Sequence, residues 1–204
     1  MNDISRPLRL GTDVVAMLLP HARPLLLVDT IAAFSDAAVP RLRASRHISA
    51  NEPVFAGHFP RLHLWPGIYT IEGLGQSCYL LYVIREARRS WAAGGGDPAD
   101  VLHALLNLEA GTRLRPGFDE AVAQRFLEES SALRSHLGVS SAVDIKFVEP
   151  VFAGCRLDYD VSLVREFGGH VRYDVLAEVD DSVVAKGTMT AFVGLPNPIA
   201  SLGL

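Results

Sequence analysis

The sequence predicts an α+β domain in which one antiparallel sheet covers one long central helix. Three observations support this prediction. An apolar run from Pro66 to about Trp91 is long enough for a buried helix, two candidate strands precede it, and the chain after Gly138 alternates apolar and polar residues with a period of two. We expect the 204 residues to form a single domain, 1–204, with a helical insertion at about 92–138.

The composition is typical of a compact, soluble fold. Hydrophobic residues make up 49% of the chain, charged residues 21%, and the net charge of -4 provides no basic surface for nucleic acid. Cys78 and Cys155 lack metal-ligand spacing, so we expect no metal, and the place of Cys78 in the apolar helix favours a buried thiol in a reducing compartment. The N-terminal residues show no signal-peptide pattern, which predicts a cytoplasmic protein.

The part of the apolar run from Pro66 to Ile84 is almost long enough to span a bilayer. It contains Glu72 and Gln76, however, and a carboxylate at the centre of a membrane span costs about 2.5–3.5 kcal/mol. We therefore predict a core helix and no membrane span.

The first quarter of the chain predicts a short helix and two strands. Thr12-Asp13 can cap the helix, which stops at Pro20. The apolar run that follows predicts a buried strand at about 25–34, and the alternating residues after it predict a half-exposed strand at about 39–48.

A loop that carries His58 leads into the long helix. Gly57 and Pro60 bracket this histidine and keep it out of regular structure. Pro66 opens the helix, since proline is favoured in the first turn, and the glycines from Gly94 onward end it.

The rest of the chain predicts two inserted helices and then strands. Asp97-Pro98 and Asp119 are start signals for the helices, and Gly111 and Gly138 are stop signals. Four strands follow, and the last three of them should form an antiparallel meander. The turns that join these three strands are Gly168-Gly169 and Asp180-Asp181.

His58 and Glu72 are the residues best suited to proton chemistry. Glu72 is the single carboxylate within the most apolar part of the long helix, where it shares one face with Ile68 and Gln76 because the three are spaced by four. A lone loop histidine is more often structural than catalytic, and a lone glutamate in an apolar helix is about as often structural as catalytic. The residues alone therefore leave both interpretations open.

The segments HISANEPVFAGHFP and PGIYTIEGLGQ closely resemble the signature of the 3-hydroxyacyl-acyl-carrier-protein dehydratases of fatty-acid synthesis, the FabZ/FabA type. Leu19-Pro20-His21, the run from Pro24 to Asp29 and the segment from Asp144 to Leu157 resemble further family motifs in the same order. The resemblance covers most of the chain except about 92–138.

This resemblance implies the hotdog fold, in which a curled antiparallel sheet wraps a long central helix. It also implies a cofactor-free lyase that removes water from a 3-hydroxyacyl chain on the phosphopantetheine of acyl carrier protein, in fatty-acid, polyketide or polyene biosynthesis. Members of the family work as dimers, often as trimers of dimers. Their catalytic histidine and carboxylate come from different subunits and match His58 and Glu72.

The roles implied for these residues follow the chemistry of dehydration. Histidine accepts a proton near neutral pH, which suits His58 as the base for the C2 proton. Apolar surroundings keep a carboxyl group protonated, which suits Glu72 to protonate the leaving hydroxyl, with Gln76 orienting it. The amides of Gly67 and Ile68 at the helix N-terminus would polarise the thioester carbonyl. The substrate-binding site would also include Phe59 and Trp65.

Departures from the family pattern concern the walls of the site. They are Arg61-Leu62-His63, Trp65, Gly73 and Gly75, and they bear on substrate shape more than on chemistry. His21 is expected to be structural.

A cluster of arginines near the end of the long helix allows two interpretations. Arg85, Arg88 and Arg89 form either a solvated helix end or a docking patch for the acidic carrier protein.

Two other functions stay open at this point. One is a hotdog acyl thioesterase, which would hydrolyse the thioester with a carboxylate and water. The other is a subunit with little activity alone, in a heterodimer with a related hotdog subunit.

Overall fold

The computed structural model describes residues 6–129 and 136–196, and in them a seven-stranded antiparallel sheet packs on a long helix. The strands are β1 (Arg6–Leu10), β2 (Thr30–Ser35), β3 (Arg41–Ile48), β4 (His136–Phe147), β5 (Cys155–Phe167), β6 (His170–Val179) and β7 (Ser182–Pro196). The helices are α1 (Thr12–Leu18), α2 (Gly67–Ala93), α3 (Pro98–Thr112) and α4 (Glu120–Glu129), with a 3-10 turn at Pro53–Ala56. The strand order is β1-β2-β3-β5-β6-β7-β4. The predicted α+β architecture is confirmed.

Helix α2 is the centre of the core. It begins directly after Pro66 and ends before Gly94, close to the predicted limits. The side chains of Leu74, Leu80 and Leu81 are fully buried, and the helix contacts β3, β5 and β6. Each buried leucine contributes about 1.5–3 kcal/mol relative to an exposed one, so burial holds α2 against the sheet.

The close approach of α2 to β5 explains one of its two glycines. A Cβ atom on Gly73 would lie 2.2 Å from the hydroxyl oxygen of Tyr159, whereas a Cβ atom on Gly75 would meet only the Cε of Met189, at 3.4 Å. The space at Gly73 is filled by a rigid ring of the protein itself. Gly73 therefore serves packing, and the helix comes near enough to β5 for only a hydrogen to fit between them.

The predicted meander is present as β5, β6 and β7. The turns that join these strands lie where the sequence places them. Gly168 and Gly169 have φ of 55° and 79°, and Asp180 and Asp181 have φ of 50° and 64°. Two successive residues at positive φ are characteristic of the tight turns that match the twist of paired strands.

The predicted strand at 25–34 is wrong in its first half. Strand β2 begins only at Thr30, because the backbone at Leu25 and Leu27 bonds to a helix side chain instead of a neighbouring strand. The amide of Leu27 donates to Gln76 Oε1, and the carbonyl of Leu25 accepts from Gln76 Nε2. The edge strand β1, which pairs with β2, was not predicted.

Both inserted helices are present, and their predicted start signals are correct. The carboxylate of Asp97 accepts from the amide of Ala99 at the start of α3, and that of Asp119 accepts from the amide of Ala121 at the start of α4. Helix α3 packs against α1, α2 and β1. Glu109 on α3 fixes this contact, since its Oε2 accepts from the amide of Gly11 at 2.7 Å.

The predicted end of the insertion at Gly138 is wrong. Helix α4 ends at Glu129, residues 130–135 lie outside the described part of the chain, and β4 already begins at His136. Leu137 pairs with Leu195 on β7, so a strand partner that is distant in sequence overrides the local helical pattern. In the described ranges no helix is both long and apolar enough to cross a membrane.

Ion pairs tie the C-terminal half of α2 to the sheet. Arg85 is buried and donates to Asp36 at 2.9 Å and to Glu166, while Arg88 and Arg89 add further contacts to the same two carboxylates. This pairing favours a stabilising role for the three arginines. That the more exposed Arg89 also contacts a carrier protein stays a prediction.

The first stability prediction concerns the two glycines of α2. Gly73→Ala should lower the free energy of unfolding by about 1–3 kcal/mol, because the added methyl group collides with the Tyr159 ring. Gly75→Ala is the matched control and should leave stability unchanged or raise it by up to about 1 kcal/mol through helix propensity. Urea denaturation of the three proteins measures the effect. Equal stabilities of the two variants would contradict the close packing.

The second stability prediction concerns Glu166. Burial raises the pKa of its carboxyl, but the hydrogen bonds and charges of Arg85 and Arg89 outweigh burial, so the pKa lies below its usual value. A group with a lowered folded pKa stabilises the fold above its unfolded pKa of about 4.3, and this contribution is lost as pH falls through the folded value. Glu166→Gln should therefore destabilise the protein at pH 7, and the difference from wild type should vanish at acidic pH.

Urea denaturation at a series of pH values from neutral to acidic checks this expectation. Glu178→Gln is the control, because no ion pair of Glu178 is recorded among the described residues. If the free energy of unfolding of Glu166→Gln is lower than that of wild type by the same amount at every pH, the ion pair is not the cause of the difference.

Candidate active site

The loop that carries His58 is held by backbone hydrogen bonds on both sides. The amide of His58 donates to the carbonyl of Val54 at 2.9 Å, in the preceding 3-10 turn. After it, Phe59 and Leu62 exchange two backbone bonds, and the amide of Trp65 donates to the carbonyl of Val151 at 2.8 Å. The loop is thereby fixed to the segment between β4 and β5, just before α2 begins.

The imidazole of His58 has a defined tautomer. Its Nδ1 lies 2.9 Å from the carbonyl oxygen of Leu64, and a carbonyl can only accept, so Nδ1 carries the hydrogen. The ring also stacks on Phe59, with centroids 4.3 Å apart. These contacts leave Nε2 with a free lone pair, which is the state a general base requires.

An open cleft of about 450 Å³ lies beside His58. Its walls come from the histidine loop, the start of α2, the segment after β4 and the strand β7. They include Leu64, Trp65, Gly67, Thr70, Phe147, Val148, Pro150, Val151, Val184 and Ala185. Glu149 also lines the cleft, so the walls are largely apolar with two titratable groups, His58 and Glu149, an arrangement suited to an acyl chain with a reactive group at one end.

The N-terminus of α2 faces the same cleft. Among the described residues no side chain caps this helix end, and the first backbone amides that donate within the helix are those of Tyr69 and Thr70. Gly67 lines the cleft, and a Cβ atom there would lie 2.8 Å from the Phe147 ring, so glycine lets the backbone stay close to that ring. The amides of Gly67 and Ile68 are therefore the free donors at the positive end of the helix.

Glu72 and Gln76 form a connected pair on α2. Gln76 is 1% exposed, and its Nε2 donates to Glu72 Oε1 at 3.0 Å. His21 also contacts this oxygen, with its Nε2 at 3.3 Å. The side chain of Glu72 is 37% exposed, so the apolar enclosure expected for it is incomplete within one chain.

His58 and Glu72 do not meet within the described chain. No hydrogen bond joins them, and Glu72 is not among the described residues that line the cleft beside His58. Ile68, one turn before Glu72, is 69% exposed. A single chain thus presents the two predicted catalytic groups separately.

The two aromatic residues predicted for the substrate site lie in different surroundings. Phe59 is about half exposed and stacks on His58, but it is not among the described residues that line the cleft. Trp65 is buried, packs edge-on against Tyr69 at 5.3 Å and forms part of the cleft wall. Trp65 is therefore a fixed wall of the cleft, whereas a contact between Phe59 and substrate stays a prediction.

A network of charges behind the histidine loop was not predicted from the sequence. Arg46 on β3 donates to Asp29 and to Glu52, both at 2.6 Å, and the amide of His47 donates to Asp29 at 2.7 Å. Asp29 and Glu52 belong to the two motif segments that precede the long helix. The signal available in the sequence was that one acidic residue lies in each motif, and the partly buried Arg46 connects the two.

Sequence comparisons identify relatives of this chain. A family model described as a FabA-like domain matches residues 19–95. The 3-hydroxyacyl-acyl-carrier-protein dehydratase FabZ of Thermotoga petrophila is 30% identical over 180 residues, which cover 88% of this chain and 95% of that protein. The protein of the same name from Nitrosomonas europaea is 28% identical, and the match covers 84% of each chain.

A solved structure agrees with the fold. A chain of the dehydratase heterocomplex ApeI:P from Xenorhabdus doucetiae superimposes with a TM-score of 0.53 at 16% identity, covering 93% of this chain and 95% of that one. At this identity the likeness concerns the fold alone, and it confirms the predicted hotdog arrangement. The sequence relatives, which match over most of their length, show the family of this chain. The chain belongs to the FabZ/FabA-like family of 3-hydroxyacyl-acyl-carrier-protein dehydratases.

Proposed function

We propose that this protein removes water from a 3-hydroxyacyl chain carried on acyl carrier protein and yields the trans-2-enoyl thioester. The observation that carries the proposal is the hydrogen bond from His58 Nδ1 to the Leu64 carbonyl. It leaves a basic Nε2 beside a largely apolar cleft that also meets the amides at the start of α2. A base and oxyanion donors around an apolar cleft are what elimination next to a thioester requires.

His58 starts the reaction by taking the C2 proton on Nε2. The electrons of the broken C–H bond move toward the thioester carbonyl, whose oxygen becomes negative. The amides of Gly67 and Ile68 stabilise this oxygen, an effect worth roughly 3–4 kcal/mol per donor in other oxyanion sites. The uncapped helix end supplies these donors without reorganisation.

Glu72 completes the elimination as the acid. The electrons return to form the C2–C3 double bond as the C3–O bond breaks, and the leaving hydroxyl takes a proton from the Glu72 carboxyl to depart as water. Gln76 holds that carboxyl in place through the bond to Oε1. Return of the proton from His58 to Glu72 restores the resting enzyme.

The site is completed by a second chain, so that His58 of one subunit acts with Glu72 of another. Three features support this arrangement: the separation of the two groups within one chain, the exposed position of Glu72, and apolar side chains exposed around the cleft. These side chains are Phe59, Leu62, Ile68, Phe147, Val148 and Phe152. The outer edge of β4 is also unpaired within the described residues, and a second chain can protect such an edge.

A homodimer, alone or in a trimer of dimers, is the simplest assembly that provides this completion. We place the protein in the cytoplasm, where carrier-bound substrates are made and where its two free cysteines would stay reduced. Fatty-acid, polyketide and polyene intermediates all share the 3-hydroxyacyl group that the proposed chemistry needs.

Substitution of the two proposed catalytic residues tests the reaction. His58→Ala and Glu72→Gln should each lower the rate of water loss about 10²–10⁴-fold, because each removes one proton-transfer group. Mass spectrometry of carrier-bound 3-hydroxyacyl chains of several lengths measures the product. An unchanged rate in either variant would refute the role of that residue.

The same assay separates the alternative functions. A dehydratase releases no thiol from the substrate, so a thiol-reactive dye should stay colourless, and rapid colour would support a thioesterase. Wild-type protein that is inert alone and becomes active only with a second, related subunit would support a heteromeric dehydratase.

Complementation tests the shared site. Neither variant has an intact site as a homodimer, but a heterodimer of His58→Ala with Glu72→Gln has one intact site out of two. Random assembly after co-expression should therefore restore about a quarter of the wild-type activity.

A mixture of wild type with a chain that carries both substitutions is the control. Wild type co-expressed with an equal amount of the doubly substituted chain should retain about a quarter of full activity if sites are shared, and about half if each chain holds its own pair. Absence of recovery in the first mixture, with about half activity in the second, would contradict the shared site.

A further inference from the structure

The contact between His21 and Glu72 has no part in the reaction as described so far. His21 follows α1 and precedes a tight turn in which the amide of Leu25 donates to the carbonyl of Ala22 at 2.9 Å. Its Nε2 lies 3.3 Å from Glu72 Oε1. The segment from 19 to 29 thus brings to the proposed acid a histidine that is distant in sequence.

Gln76 fixes this segment and Glu72 relative to each other. Its Nε2 donates both to the Leu25 carbonyl at 2.6 Å and to Glu72 Oε1, and its Oε1 accepts from the Leu27 amide at 2.9 Å. Because the amide is buried, its hydrogen-bonding groups must be satisfied by protein atoms. The position of His21 against Glu72 is therefore set by a rigid clamp.

His21 and Gln76 contact the same carboxylate oxygen. In a carboxyl group protonated on Oε2, Oε1 is the carbonyl oxygen and can only accept, so Nε2 of His21 is the donor and carries the ring hydrogen. Its Nδ1 is buried without a hydrogen-bond partner in the described chain, which suits a bare lone pair better than an unpaired N–H group. With two donors on Oε1, the other oxygen, Oε2, has no recorded partner among the described residues.

We propose that His21 is a positioning residue for Glu72, and that it and Gln76 hold Oε1 so that Oε2 is the oxygen that gives its proton to the substrate. This inference rests on the proposed function, because it assumes that Glu72 is the acid. His21 touches Glu72 and not the reacting atoms, so it should affect the chemical step more than substrate binding.

Two conservative substitutions at His21 test the geometry. The amide nitrogen of glutamine can reach the position of Nε2, whereas that of asparagine corresponds to Nδ1 and falls short of Glu72. His21→Asn should lower kcat roughly tenfold with KM nearly unchanged, since loss of one hydrogen bond has about this effect on a rate. His21→Gln should recover most of the lost kcat. Equal kcat values for the two variants would overturn the proposal.

Combination with Glu72→Gln separates positioning from other roles. If His21 acts through Glu72, His21→Asn should cause no further loss in a Glu72→Gln background, because the group it positions is already gone. A further tenfold loss of kcat in that background would show that His21 acts independently of Glu72 and would overturn the proposal. Thermal unfolding of each variant, followed by circular dichroism, verifies that the proteins compared are folded.

The kcat values of the Glu72→Gln and His21→Asn variants distinguish an error about His21 from an error about Glu72. A Glu72→Gln variant with wild-type kcat would remove Glu72 as the acid, and the positioning role with it. A slow Glu72→Gln variant together with a His21→Asn variant of wild-type kcat would overturn the role of His21 alone.

Discussion

The side chain of Gln76 is buried between α2 and the segment that precedes β2, and its amide must find hydrogen-bond partners within the protein. Its Nε2 donates to the Leu25 carbonyl and to Glu72 Oε1, and its Oε1 accepts from the Leu27 amide. These contacts connect the central helix, an irregular segment and the proposed acid. The same clamp brings His21 to Glu72 and explains why β2 starts later than its apolar sequence predicts. Much of the geometry around the acid therefore depends on one buried amide.

The two ends of α2 differ in their contacts. At the N-terminus the backbone amides are uncapped, Gly67 allows close approach, and Glu72 lies on an accessible face. Toward the C-terminus, Arg85 is buried in ion pairs that fasten the helix to the sheet. The proposed catalysis requires donors left free at one end, and the packing and ion pairs along the rest of the helix keep that end in place.

The histidine loop has no regular structure of its own and depends on its neighbours for order. Backbone bonds to Val54 and Val151 fix its two ends, and the network of Asp29, Arg46 and Glu52 anchors the residues before it. The bond from Nδ1 to the Leu64 carbonyl then sets the tautomer of His58. A loop held in this way can present a base at a fixed position without the rigidity of a helix or strand.

The central helix, the meander and the start signals of the inserted helices could be predicted from the sequence, which also supplied His58, Glu72 and Gln76 as candidate site residues. These features depend on local pattern or on motifs that are continuous along the chain. Tertiary structure alone decided that Gly73 accommodates Tyr159, that Arg85 is buried against Glu166, that β4 begins at His136 and that His21 touches Glu72. Each of these depends on partners that are distant in sequence, and local propensity carries no information about such partners.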